Sequence, residues 1–361
     1  MGLEGDIQAI KNASAPLLEN AVYNDKGYAF FDVEVAFTAR SFFYGNMISS
    51  ASGAGNPYWS FMGDESGYIY AAIPLSLYQG NASKYAGQEN QYFDVKGTLA
   101  SFRGCLIVEV NSYSFIASPS FALTNEEAKE WIEEGIESFQ AIYDSISALP
   151  LNVKGCAYAE PKIVEGELIA KMDDAVFLFS DGKNYLKVHG TKTAFSGLTV
   201  GHSYRLYAVP DEYIYAPSAE LLFAEAIEKT FDTPSPSKAA KAADTYGWTY
   251  KNNVTDHASA YEDVFRSSYV VKGYPTYYQK DASIYFVIAD KPYPNGFAAY
   301  TNARDEKCLF LKNESENNLK TEKDLSYSYL ASCEPNEPID ITFVPYLWHT
   351  NKYFQGYAIF E

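Results

Sequence analysis

The sequence predicts a mainly β protein of three small Greek-key barrels or sandwiches in tandem, connected by a few α-helices. Aromatic residues are 16% of the 361 residues, with 32 Tyr and 23 Phe, and such side chains favour pleated, half-buried strands. Apolar runs separated by Gly-containing turns recur three times in a similar order. The tripeptide Val-Lys-Gly closes one run in each pass, at residues 95–97, 153–155 and 271–273. Together these observations indicate a diverged internal repeat.

The first unit, residues 1–123, shows the strand order most clearly. Its five apolar runs are residues 28–44, 57–62, 68–73, 92–100 and 105–110. The acidic turn Gly63-Asp64-Glu65-Ser66-Gly67 connects the second and third runs, and this pattern is typical of a hairpin. The predicted order is therefore a long strand, a hairpin, a polar excursion and a closing hairpin.

The second and third units repeat this order. Residues 150–232 form the second unit, with strands at 151–158, 175–181, 184–189 and 204–209 and a helix after Ser218. Residues 246–361 form the third, with strands at 268–273, 283–290, 296–300, 339–345 and 357–360. Val-Lys-Gly lies in the fourth strand of the first unit but in the opening strand of the others, so the strand order carries the repeat. The shared role of the tripeptide is a Gly that relieves crowding at a bend.

Two segments connect the units. Residues 124–149 are predicted to form one amphipathic helix, because Thr124 and Glu127 make a capping box before apolar residues at helical spacing and Pro150 ends the pattern. Residues 233–245 begin with Thr-Pro-Ser-Pro-Ser and are predicted to be a linker.

The five-stranded unit resembles the oligonucleotide/oligosaccharide-binding (OB) fold. Residues 92–97 followed by 104–108 are similar to the late strands of OB-type domains in secreted and lipid-anchored surface proteins of gut bacteria. This resemblance covers about three quarters of the chain. It implies a lipoprotein-like or secreted location at the cell surface and non-catalytic binding, and it assigns no ligand residue.

The net charge disfavours one class of partner, and the hydropathy bears on membrane insertion. The 28 basic and 46 acidic residues give a net charge of −18, which repels phosphate backbones and makes nucleic acid an improbable partner. No run of 18 apolar residues occurs, so no transmembrane segment is expected. The first residues have no charged and apolar leader pattern and resemble a start that follows removal of a signal segment. The location expected is extracellular or the cell surface.

Catalytic and metal motifs are not evident. Gly201-His202-Ser203-Tyr204-Arg205 ends in Arg where a nucleophile elbow needs Gly, and the four His residues are scattered. We therefore expect no enzyme activity, cofactor or metal, although a carboxylate pair for glycoside hydrolysis stays open. The four Cys residues show no C-x-x-C spacing. Cys308 and Cys333 lie in one predicted domain and form a disulfide or stay as thiols.

The candidate ligand residues are aromatic and polar side chains on predicted strands. Tyr185, Lys187 and His189 alternate with apolar residues and are predicted to share the usual OB ligand face, unless that face is only solvated. Trp59 and Tyr70 are candidates in the first unit, where alternation leaves open which aromatic residues are core.

Four functions are compatible with the sequence. The first is a secreted or surface protein that binds a glycan, peptide or protein through aromatic faces. The second is an assembly subunit whose Tyr-rich surfaces mediate protein contacts or self-assembly. Single-stranded nucleic-acid binding and glycoside hydrolysis are weaker alternatives.

Overall fold

The computed structural model describes most of the chain. The described residues are 2–47, 58–74, 76–77, 90–132, 135–148, 157–171, 176–191, 193–213, 216–239, 265–280, 283–293, 309–312, 332–334, 336–347 and 354–359. They form two compact units. The first contains Met1–Val164 and Arg205–Glu225, and the second contains Glu165–Tyr204 and Ala226–Glu361.

The first sheet is a closed five-stranded barrel with one added strand. Its elements are β1 (Gly2–Glu4), α1 (Ile7–Glu19), β2 (Tyr28–Met47), β3 (Tyr58–Asp64), β4 (Gly67–Ile73), β5 (Tyr92–Phe102) and β6 (Cys105–Ile116). The order is β1-β2-β3-β4-β6-β5, and β2 also pairs with β5 to close the barrel. Strands β4 and β6 are parallel, whereas β2–β3, β3–β4 and β5–β6 are antiparallel. This is an OB-type Greek key, and the five predicted strands of residues 1–123 are confirmed.

The second sheet has the same order of barrel strands. After α2 (Asn125–Lys129), β7 (Ile136–Glu137), α3 (Phe139–Ser147) and β8 (Ala157–Tyr158) come β9 (Lys162–Lys171), β10 (Val176–Ser180), β11 (Tyr185–His189), β12 (Ser203–Tyr213) and β13 (Ala216–Ile227). The strand order is β7-β9-β10-β11-β13-β12-β8, with β9 also paired to β12.

The third sheet repeats this order again. Its strands are β14 (Ser237–Ala239), β15 (Tyr269–Lys280), β16 (Ser283–Ala289), β17 (Leu309–Lys312), β18 (Ile339–Leu347) and β19 (Phe354–Ile359). The order is β14-β15-β16-β17-β19-β18, closed by β15–β18. The chain therefore contains three OB-like β barrels in tandem. The predicted strand at residues 296–300 lies outside the described residues.

Each repeat begins earlier than the sequence indicated. Strands β1, β7 and β14 are short, and each pairs in parallel with the opening strand of its barrel. Helix α1 follows β1, and α3 follows β7. The repeat is thus a short strand followed by a barrel, and in the first two copies a helix lies between them. The corresponding residues of the third copy, 240–264, lie outside the described residues. Part of the predicted linker, Ser237–Ala239, is this short strand of the third copy.

The prediction of a single continuous helix at 124–149 is wrong, because the segment contains two helices separated by a short strand. The capping box of Thr124 and Glu127 is confirmed, but α2 ends after five residues. Gly135 has a φ of +144°, outside the helical region, and β7 then pairs with β9 before α3 begins. Strand pairing therefore interrupts a segment whose apolar spacing alone suits a helix.

The predicted helix after Ser218 is also wrong, because this segment is strand β13. Ala219 and Leu221 are buried, and so is Leu222, so neighbouring residues on both faces of the strand are apolar. A strand that is buried on both faces loses the period of two and can imitate helical spacing. Consequently the predicted closing strand 204–209 is the fourth strand of its barrel.

The sequence did not predict strand β9, Lys162–Lys171, which is the opening strand of the second barrel. Of the predicted strand at 151–158, residues 151–156 lie outside the described residues, and Ala157–Tyr158 is strand β8. The sequence pattern of β9 does not indicate a strand, because a charged residue, Glu165, occupies a buried position among apolar residues and is only 7% exposed. Lys229 Nζ lies 2.8 Å from the Glu165 carboxylate and compensates that charge.

The acidic turn of the first barrel also holds helix α1. Asp64 Oδ2 accepts from the Ile7 amide at 2.8 Å, and Ser66 Oγ accepts from the Gln8 amide at 3.0 Å. The Asp6 side chain caps the Ala9 amide, and the Asp6 carbonyl accepts the first helical hydrogen bond, from the Ile10 amide. All four N-terminal amides of α1 thereby have partners. In the second barrel, Asp181 Oδ1 accepts two amides of the corresponding turn.

Replacing Asp64 with alanine is expected to lower the free energy of unfolding by about 2 kcal/mol, because buried amide donors lose their acceptor. Its Oδ1 also accepts from the amides of Ser66 and Gly67 at 2.8 and 3.1 Å. Equilibrium urea unfolding measures the change. The exposed neighbour Glu65, changed to alanine, is the control and should shift stability by less than about 0.5 kcal/mol. Equal effects of the two variants would contradict this role of Asp64.

Two of the Val-Lys-Gly glycines lie where a strand leaves no room for a side chain. A Cβ on Gly97 would lie 2.3 Å from the Glu109 carbonyl oxygen, and one on Gly273 would lie 2.5 Å from Ile288 Cγ2. The prediction that these glycines relieve crowding is confirmed at both positions. Gly155 lies outside the described residues.

Within the described part of the chain, no helix combines the length and apolarity needed to cross a membrane. The predicted domain boundaries at 123, 149, 232 and 245 stay predictions.

Candidate functional site

Three of the five predicted ligand residues are core residues. The exposed fractions of Trp59, Tyr70 and Tyr185 are 0%, 2% and 1%. A ring without exposed surface cannot stack on a ligand from solvent, so these three residues do not form an open binding face in this structure. Lys187 and His189 are half-buried on β11, on the alternating positions that the sequence predicted.

Both faces of the hairpin β3–β4 are buried. Met62, Ile69, Ala71 and Ile73 belong to the inner core, which also includes Ile7 and Ile10 of α1. The alternate positions carry Trp59, Phe61, Tyr68 and Tyr70, which we call the aromatic face. It lies on the strands where OB folds usually bind ligands.

The aromatic face is covered by other segments of the first compact unit. Tyr158 lies 4.8 Å from Trp59 and 5.6 Å from Tyr70 between ring centroids, and it has 0% exposure. Further covering residues come from the α2 segment and from strands β12 and β13 of the second barrel: Leu123, Ala128, Trp131, Ile132, Tyr207, Val209, Leu222 and Phe223. Aromatic ring pairs at these separations add to the stability of the fold beyond the effect of their buried area. The aromatic face is therefore an internal contact surface.

A buried hydrogen bond fixes this contact. The Tyr70 hydroxyl donates to the Ala159 carbonyl at 2.9 Å. Burial raises the pKa of the Tyr70 phenol, and the neighbouring Cys105 and Asp211 raise it further. The phenol therefore stays protonated and keeps its role as donor.

A cation lies beside the same contact. Lys129 Nζ lies 2.5 Å from Glu225 Oε1 and 2.7 Å from Glu126 Oε1. It also lies 5.4 Å from the Tyr207 ring centroid. Burial lowers the pKa of Lys129, but hydrogen bonds to the two carboxylates raise it by more, so the ammonium stays charged. Lys129 thereby connects α2 to β13 of the second barrel.

The second compact unit contains a related contact. Leu178 and Tyr185 of the second barrel form a buried cluster with Val344 on β18, the fourth strand of the third barrel. The Tyr185 amide donates to the Arg266 carbonyl at 2.8 Å. Ala159 and Arg266 each lie three residues before the opening strand of the next barrel. In both units, the hairpin of one barrel thus contacts the fourth strand and the entry segment of the following one.

An open groove lies on another face of the first barrel. It has a volume of about 670 Å³ and is lined by Glu4, Gly5, Ala36, Phe37, Thr38, Asp94, Val95, Lys96, Ser112 and Ser114. We call this site the polar groove. The Thr38 hydroxyl donates to Asp94 Oδ1 at 2.7 Å. None of these residues was predicted as a ligand residue, because short polar side chains that alternate on a strand also suit a solvated face.

Two carboxylates and one thiol that could take part in metal or redox chemistry are buried. Asp211 and Glu220 are buried carboxylates with oxygen atoms within 4.8 Å of each other, a spacing at which two carboxylates can hold a cation. Cys105 is buried, and burial raises the pKa of its thiol, so it is a poor nucleophile. Cys308 lies outside the described residues, so its pairing with Cys333 stays a prediction.

Comparison with known proteins gives structural likeness alone. No protein-family model matches the sequence, and no curated protein is significantly similar. The Ifi202 HINa domain in complex with double-stranded DNA matches 56% of this chain and 100% of its own, at 12% identity and a TM-score of 0.27. A replication protein A heterotrimer bound to single-stranded DNA matches 93% of this chain and 95% of its own, at 10% identity and a TM-score of 0.28. At these scores the similarity carries no argument about a ligand.

Proposed function

We propose that this protein is a non-catalytic binding protein. In this proposal the aromatic face of the first barrel serves as an internal packing surface, and the partner is contacted by surfaces that stay exposed. One observation carries the proposal: the aromatic face of the first barrel, on the usual OB ligand strands, is filled by Tyr158 and the β12–β13 hairpin. The related contact of Tyr185 with Val344 supports the same use of the second barrel's hairpin.

The partner proposed is a glycan or a protein. The net charge of −18 disfavours polyanions and therefore nucleic acid. A location outside the cell or at its surface is part of the proposal and rests on the resemblance of residues 92–97 and 104–108 to OB-type domains of bacterial surface proteins.

An assembly role is the second candidate. It is favoured by the recurrence of one contact mode in the two units, because a barrel face that accepts the next barrel of the same chain is suited to accept one from another copy.

Light scattering after size exclusion, over a hundredfold range of protein concentration, separates the two candidates. We expect a monomer at every concentration, and binding of that monomer on printed arrays of glycans and proteins. A defined oligomer would overturn the binding role in favour of assembly. Hydrolysis of an arrayed glycan would overturn the absence of catalysis.

A further inference from the structure

The polar groove is formed by two cross-strand rows on the outer side of the first barrel. Glu4 lies opposite Ala36, Ala36 opposite Lys96, and Lys96 opposite Ser112. The second row joins Thr38, Asp94 and Ser114 in the same way. Because paired residues of a sheet place their side chains on one face, these groups converge on one surface.

The strand positions that line the polar groove in the first barrel have counterparts in the second barrel, and those counterparts contact the aromatic face. Strands β5 and β12 each have 11 residues, and β6 and β13 each have 12. Counting from the first residue of each strand, Lys96 corresponds to Tyr207 and Ser112 corresponds to Phe223. The burial pattern supports this correspondence: Val95 and Leu206 are both buried, as are Val110 and Leu221.

The two barrels therefore use the same strand positions with different chemistry. In the second barrel these positions carry Tyr207 and Phe223, which pack against the aromatic face. In the first barrel they carry an ammonium and a hydroxyl that line an open groove. An exposed polar face in place of a docking face prevents another barrel from packing there and leaves the groove open to a polar ligand.

Together with the proposed function, on which this inference rests, the geometry points to the polar groove as a binding site for a neutral oligosaccharide. Glu4 and Asp94 supply acceptors, Lys96 supplies donors, and the hydroxyls of Ser112 and Ser114 supply both. The Thr38 hydroxyl, which donates to Asp94, can accept a further hydrogen bond. This set of groups matches a ligand rich in hydroxyl groups. Ala36 lines the groove between Glu4 and Lys96 and contributes only a methyl group there. The groove's volume of about 670 Å³ is in the range of small-ligand sites.

Charge and composition select this ligand class over others. Two carboxylates and one ammonium give the groove a local charge of −2 + 1 = −1, which disfavours polyanions and attracts cations only weakly. Protein interfaces usually centre on aromatic or Arg residues in well-packed pockets, whereas the outward side chains of both rows are small or polar. Asp94 is already oriented by Thr38, which reduces the entropy lost on binding.

The test uses the full chain on an array of neutral, sialylated and sulfated glycans, with oligonucleotides and proteins as further panels, followed by calorimetry with the best neutral glycan. Ala36→Tyr should fill the groove, and Asp94→Asn should remove an acceptor charge; we expect each to weaken binding at least tenfold. The control is Glu19→Gln, an exposed carboxylate at the end of α1, which should leave binding unchanged. Thermal unfolding of each variant verifies that it is folded.

The outcomes separate this site from the proposed function. Neutral-glycan binding that survives Ala36→Tyr in a folded protein would overturn the site and leave the non-catalytic binding role standing. Binding only to proteins would overturn the ligand class alone. Binding to oligonucleotides or sulfated glycans in place of neutral ones would overturn the charge argument, and binding to no array component would overturn both proposals.

Discussion

Replacing Gly97 with alanine is expected to lower the free energy of unfolding by about 3 kcal/mol, which is at the upper end of the usual cost of overpacking. The new Cβ would lie 2.3 Å from the Glu109 carbonyl oxygen and 2.5 Å from Val108 Cγ1. Backbone atoms of a paired strand cannot move aside without breaking the β5–β6 ladder, which already shifts register between Lys96 and Gly97. Equilibrium urea unfolding measures the loss.

The control for Gly97 is Gly2→Ala. At Gly2 the nearest atom to an added Cβ is the Glu34 carbonyl oxygen at 3.9 Å, an ordinary contact. This variant should change stability by less than about 0.5 kcal/mol. If the two substitutions had equal effects, the close approach of β5 and β6 at Gly97 would be refuted.

Truncating Tyr158 to alanine is expected to cost about 3 to 4 kcal/mol, in the range measured for buried aromatic residues. Its side chain is fully buried against Trp59 and Tyr70, so its removal opens a cavity over the aromatic face. Quenching of tryptophan fluorescence by acrylamide should increase as Trp59 becomes accessible. Urea unfolding gives the magnitude.

Phe115→Ala is the matched control, because Phe115 is an aromatic residue of the same compact unit with 59% of its surface exposed. It should cost less than about 1 kcal/mol and leave quenching unchanged. A Tyr158→Ala protein as stable as this control would show that the aromatic face is not covered as described.

The sequence was sufficient for elements that depend on local patterns. The strands of the first barrel follow from alternation and turn chemistry, and the Asp64 turn lies where Gly and acidic residues predicted it. The capping box of Thr124 also follows from spacing alone. In each case neighbouring residues supply most of the interactions that fix the structure.

Elements fixed by distant contacts could not be predicted. Strand β13 resembles a helix in sequence because Leu221 and Leu222, on opposite faces, are both buried. Trp59 and Tyr70 suited a ligand face equally well, since only the position of Tyr158 decides that they are covered. The polar groove required the pairing of β1, β2, β5 and β6, which brings residues 4, 36, 96 and 112 together.

The most direct test of the central claim, that the first barrel's aromatic face is an internal contact, is a double-mutant cycle between Trp59 and Tyr158. Each is changed to leucine, singly and together, and the free energy of unfolding is measured in urea. Rings 4.8 Å apart should give a coupling energy of about 1 kcal/mol. Effects that add to within about 0.3 kcal/mol would show that the two residues do not touch, and the aromatic face would again be a candidate ligand site.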